Sequence, residues 1–150
     1  MNAERIRHYI TKILVDIMFF GGIVACIALP FGLPWIMAFT GTSLNFRGHY
    51  TFVLLGSGLC AVYIMYQLKG MFKTLLMKNP FVSQNVASLR KCAVASALIA
   101  LIFLVRLIMW FTISAAVVVI IFVLLSLFCL TIKDLFKQAI AYKEENDWTV

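Results

Sequence analysis

The chain has 150 residues, of which 63% are hydrophobic and 13% charged, with a mean hydropathy of +1.00 and a formal net charge of +7. Soluble domains are nearer about half apolar and a quarter charged, and a chain this short cannot hide so much apolar surface from water. The composition therefore excludes an ordinary soluble globule and describes one integral membrane domain covering residues 1–150.

The N-terminal "MNAERIRHYITKILVDIMFFGGIVACIALP" starts basic and turns apolar, as a secretory signal does. The apolar run continues past Pro30 through "FGLPWIMAF" without an A-x-A cleavage site, so it reads as a retained first span. That span is expected over residues 10–29, about the 20 needed to cross the hydrocarbon, with Pro30 and Pro34 ending it. The segment up to Arg47 then forms a loop, Trp35 and Tyr50 are interface anchors, and a second span follows over 50–68.

The loop expected at 69–90 is basic, and from Cys92 to Ile132 only Arg106 is charged. As one helix that stretch would be about 60 Å long, twice one crossing, so it must fold as a hairpin. A turn at Trp110–Phe111–Thr112 gives spans at 91–109 and 111–132 and leaves a tail at 133–150. The expected fold is an all-α bundle of four transmembrane helices. Lys and Arg are concentrated at the termini and in the 69–90 loop, with only Arg47 and Arg106 on the other side. The positive-inside rule then places both termini in the cytoplasm.

Two segments continue the helical spacing past the hydrocarbon: Leu68, Met71, Phe72, Leu75 and Leu76 after the second span, and Ile132, Leu135, Phe136, Ala139 and Ile140 after the fourth. They suit either the lipid interface, with their lysines against anionic headgroups, or packed extensions of the spans, the reading favoured here.

Asp16 is the only acid inside a span, and an intramembrane acid is a functional candidate by default. An ion pair with Lys12, four residues earlier, or with Arg90 or Lys91 explains it structurally; a proton or ion role is the alternative. Arg106 lies too far along the membrane normal to pair with Asp16 and is expected to snorkel outward beside Trp110. Gly21–Gly22 and Gly56, Ser57 and Gly58 allow close helix approach, and the span hydroxyls are expected to bond back to their own helices.

The four cysteines lie in apolar runs without a CxxC, and His8 and His49 fall on opposite sides of the membrane, so no metal site is expected. No nucleophile–base set, phosphate loop or HExxH occurs, so neither a catalytic residue nor a cofactor is expected. The basic charge follows the loops and carries no reader motif, which argues against direct nucleic-acid binding.

In "KNPFVSQNVASLRK", Asn79–Pro80 reads as a turn, Phe81 as a staple onto the bundle, and Ser83 as the N-cap of the next helix. Pro80, Phe81, Asn85, Leu89 and Arg90, with the closing Glu144, Glu145, Asp147, Thr149 and Val150 of "YKEENDWTV", resemble the YoaS-like family of small bacterial membrane proteins, a domain of unknown function. Lys78–Asn79 stands where a glycine often opens the loop, and Trp148 where leucine is usual. The resemblance implies four helices in the bacterial plasma membrane and no established reaction. Because members are often encoded beside a small helix-turn-helix regulator, it also implies a non-catalytic membrane partner for such a regulator; a small transporter or an immunity or stress-type membrane protein is the alternative. Expected partners are the lipid bilayer and that regulator, and a homo-oligomer is compatible with this reading. The tail, with three of the six acids beside Trp148, is either a frayed end or a docking element.

Overall fold

The computed structural model describes residues 3–40, 47–77 and 80–148, without the side chains of residues 3–5, 7, 8, 40, 47, 147 and 148. The described residues form four helices: α1 (Ala3–Thr40), α2 (Arg47–Leu76), α3 (Ser83–Met109) and α4 (Ile113–Trp148). Each is long and apolar enough to cross a membrane, the qualifying stretches being Tyr9–Phe39, Gly48–Leu76, Ser83–Met109 and Ile113–Asn146. This is the architecture of a multi-pass membrane protein.

The helices overrun the expected spans. α1 carries on through Pro30 and Pro34, which were expected to end it. A proline inside a helix costs about 3 kcal/mol in water, where a broken backbone is at least hydrated. In hydrocarbon, unravelling the following turns would expose several backbone groups at several kcal/mol each, so the helix continues. Most of the expected 69–90 loop is helical too. Between α2 and α3 only residues 77 and 80–82 are described as non-helical, and 78 and 79 lie outside the described residues. The amphipathic segments after the second and fourth spans are unbroken extensions of α2 and α4.

The hairpin between α3 and α4 falls where expected. Trp110 is extended (φ −140°, ψ 104°), and its N–H closes the last turn of α3 on the Arg106 carbonyl at 2.9 Å.

Among the described residues, backbone contacts join α1 to α2, α2 to α3 and α3 to α4, and no other pair of helices. The bundle is therefore open, with its helices following one another in chain order. Neighbours are antiparallel. Between α1 and α2 the facing pairs step from Asp16–Lys69 through Phe19–Tyr66 to Cys26–Gly58. Between α2 and α3 they run from Thr74–Asn85 to Tyr50–Arg106. The start of α1, the end of α2, the start of α3 and the end of α4 thus share one end of the molecule, here the terminal end.

α3 is the central helix. Its buried positions include Asn85, Ser88, Cys92, Ala95, Ser96 and Ile99, spaced at three and four residues. Small side chains along that face let α2 and α4 approach closely, which is how helices associate where lipid removes the hydrophobic drive. Cys92 and Cys129 pack with Ile64, Ala95 and Ile99 in one cluster, as small apolar groups. Ser126 ties α4 to α3 by donating from Oγ to the Ala93 carbonyl at 2.9 Å. Ser57 and Thr131 instead bond back to carbonyls of their own helices, as expected of span hydroxyls.

Two of the glycines singled out by sequence lie at the α1–α2 contact. A Cβ on Gly58 would stand 2.8 Å from Cys26 Sγ, and one on Gly22 3.1 Å from Val62 Cγ2, whereas Gly21 faces open space.

Candidate functional site

Asp16 is paired, but with neither Lys12 nor Arg90 or Lys91. Its Oδ1 lies 2.9 Å from Lys69 Nζ of α2. The residues of the expected pairs lie elsewhere: Lys12 is an exposed residue of α1, while Arg90 and Lys91 are exposed on α3, which makes no backbone contact with α1. The Lys69 ammonium also sits over the rings of Phe19 and Phe20, at 5.4 and 5.2 Å from their centroids. Asp16 is eight residues from the midpoint of its span (residue 24) and Lys69 seven from the midpoint of its own (residue 62). By helix rise these offsets are about 12 and 10 Å, inside the edge of a hydrocarbon layer about 30 Å thick. At that depth an isolated charge is expensive, and each of these two ions offsets the other's desolvation.

The second cluster forms the α2–α3 junction. Asn85, on the first turn of α3, is buried at 2% exposure. Its Nδ2 donates both protons, one to Thr74 Oγ1 of α2 and one to the Pro80 carbonyl, each at 2.7 Å. Thr74 Oγ1 passes its own proton to the Met71 carbonyl at 2.7 Å, so the two side chains form one relay from α3 into the α2 backbone. Ser83 is not the N-cap of α3. Val82 occupies that position in extended conformation without a side-chain cap, and Ser83 is the first helical residue. The Asn85 side chain pins the chain instead, holding the Pro80 carbonyl from inside the helix. Phe81 meets Phe136 of α4, ring centroids 5.2 Å apart, so the staple expected from sequence joins the link to the fourth helix. Asn79 and Lys78, expected to shape the turn, lie outside the described residues.

At the opposite end Arg106 stacks on Tyr50 of α2, 4.9 Å from guanidinium carbon to ring centroid. Trp110, beside which Arg106 was expected to snorkel, bonds the Arg106 carbonyl through its backbone N–H, and its ring meets His49 edge-on at 4.8 Å. A guanidinium over an aromatic face keeps its charge while shedding less solvation than in a bare apolar site.

The remaining candidates belong to the end of α4. The helix runs on through Glu144, Glu145, Asp147 and Trp148, and Glu144 and Glu145 lie on exposed turns. The side chains of Asp147 and Trp148, and all of Thr149 and Val150, lie outside the described residues. Trp148 is twelve residues past Phe136, about 18 Å along the axis. The tail acids therefore stand well beyond the level at which Phe81 meets α4.

Of the candidates, the fold brings Pro80, Phe81 and Asn85 into one junction and leaves Arg90 exposed beside it. It separates Asp16, Arg106 and the tail acids from that junction. Sequence reasoning missed Lys69, Thr74 and Ser126 as partners across helices.

A family model described as a protein of unknown function, DUF2975, matches residues 29–150, so the chain belongs to that family. The match takes in the junction, Lys69, Arg106 and the tail, and begins after Asp16. No curated protein and no solved structure matches the chain.

Proposed function

We propose that this DUF2975 member is a non-catalytic interaction protein of the bacterial plasma membrane, which holds a small helix-turn-helix regulator at its cytoplasmic face. The basic residues gathered at the terminal end favour placing both termini in the cytoplasm. The observation that carries the reading is the continuation of α4 as helix for three turns past Phe136, with exposed Tyr142, Glu144 and Glu145 on those turns. A helix extending beyond its packing partners supplies a preordered docking element, which saves the entropy that a coil would lose on binding. Its acids suit the basic face with which a helix-turn-helix protein meets phosphate.

Deleting 144–150 tests the reading. The expected outcome is loss of the regulator from crosslinked pulldowns of native membranes, with unchanged abundance and thermal stability of the truncated chain. Equal recovery of a helix-turn-helix protein with and without the tail would reject tail docking. A fall in thermal stability with recovery retained would make the tail a structural part of the bundle.

A further inference from the structure

We propose that the terminal end of the bundle binds an anionic phospholipid, phosphate among the cations of α3 and α4 and one acyl chain along the exposed face of α3. The inference stands apart from the reading of the tail. A groove of about 860 Å³ runs over α3, walled by α2 on one side and α4 on the other. It exists because the bundle is open: α2 and α4 both pack on α3 without touching each other's backbone, leaving one α3 face uncovered between them. That face is Ala87, Arg90, Lys91, Val94 and Leu98, all exposed and spaced at three and four residues.

The groove is divided by chemistry along its length. Toward the terminal end it carries Arg90 and Lys91 from α3 and Lys133 and Lys137 from α4, against a single acid, Asp134. Lys133 lies 3.0 Å from the Asp134 carboxylate, so those two largely neutralise one another and three cations remain for a ligand. Deeper, the lining is Val94 and Leu98 of α3 with Leu59 and Tyr63 of α2. Leu98 is eight residues from Arg90, about 12 Å by helix rise, which is enough for roughly half of an extended oleoyl chain to lie in the slot.

A phosphodiester with no ammonium of its own matches this charge, because a zwitterionic head would bring a cation into a cationic mouth. Basic pockets between transmembrane helices have this form where they hold anionic headgroups. A free phosphate would use the mouth and leave the floor empty; a soluble acidic peptide would do the same. The two-part lining fits an amphiphile whose head and chain enter together.

The test is native mass spectrometry of the full chain in detergent, with dioleoyl-phosphatidylglycerol or dioleoyl-phosphatidylcholine added. The phosphatidylglycerol adduct is expected to be retained about tenfold more than the phosphatidylcholine adduct. In Arg90→Gln/Lys137→Gln it should fall to the phosphatidylcholine level, whereas Lys73→Gln, which removes a cation outside the groove, should leave it unchanged. Glycerol phosphate, a head group without chains, should not displace the lipid. Equal retention of the two lipids by the unaltered chain would overturn the proposal. So would displacement by glycerol phosphate, or an equal loss in Lys73→Gln. Leu98→Trp, which fills the floor and keeps every cation, decides the matter if the double variant does not fold: lost retention supports the site and full retention overturns it.

Discussion

Lys69 reaches from α2 to within 2.9 Å of the Asp16 carboxylate on α1, and the rings of Phe19 and Phe20 lie beneath its ammonium. The partners are not equivalent when one is lost. Asp16→Asn leaves Lys69 with two aromatic faces and a long stem that can turn toward headgroups. Lys69→Met leaves a short carboxylate with neither. Both single changes are expected to destabilise the protein in detergent by about 1–3 kcal/mol, Lys69→Met more than Asp16→Asn. The double variant should recover part of the loss, because removing both charges also removes their desolvation. Additive losses in thermal denaturation of the four proteins would show that the pair contributes no coupling.

Asn85 works through its amide protons. Both are donated at 2.7 Å, to Thr74 and to the Pro80 carbonyl, in a buried position. Asn85→Asp replaces two donors with an acceptor that faces a carbonyl, at nearly unchanged volume. We expect a loss of about 1–3 kcal/mol in thermal or denaturant unfolding and faster proteolysis at residues 77–82. Thr74→Val should cost less, because it removes only the α2 arm of the relay. Wild-type stability in Asn85→Asp would mean that the junction is held by Phe81 and Phe136 alone.

Glycine matters at the α1–α2 contact only where the helices touch. Gly58→Leu is expected to push α1 from α2, since even a Cβ there lies 2.8 Å from Cys26 Sγ. Gly21→Ala meets nothing within 4 Å and should stabilise α1 slightly through helix propensity, by about 1 kcal/mol at most. Crosslinking of cysteines placed on the facing sides of α1 and α2 reports the separation. Equal crosslinking in Gly58→Leu and the unaltered chain would contradict the close approach.

The four helices and the Trp110–Thr112 turn were legible because apolar length alone determines them. The Asp16 partner was not, for a traceable reason. Ending the first helix at Pro30 discards the register of the α1–α2 hairpin. With α1 carried to Thr40 and α2 starting at Arg47, pairing the two helices antiparallel from those ends maps Asp16 onto α2 within a turn of Lys69. Ser83 misled in another way: a serine at a helix start is a common cap, but Asn85 two residues on already restrains the link from within α3. Pro80, Phe81 and Asn85 were visible as a pattern, while Thr74 and Phe136, which give the pattern its physical meaning, lie on other helices and leave no periodic trace.

Orientation has a direct check. Reporter fusions after Met77 and after Val150 should both read cytoplasmic, and one at Thr42 external, as the distribution of Lys and Arg requires. An external signal after Met77 would invert the molecule and place the tail where no transcriptional regulator can reach it.

The proposed role rests on what the end of α4 touches in the cell. A photo-crosslinking amino acid at Tyr142 or Glu144, with a matched position at Phe39 near the opposite end of the molecule, measures this in living membranes. The account predicts a light-dependent adduct with a small helix-turn-helix protein from positions 142 and 144, and none from 39. No such adduct from the α4 positions, in cells that contain the protein at normal abundance, would contradict it.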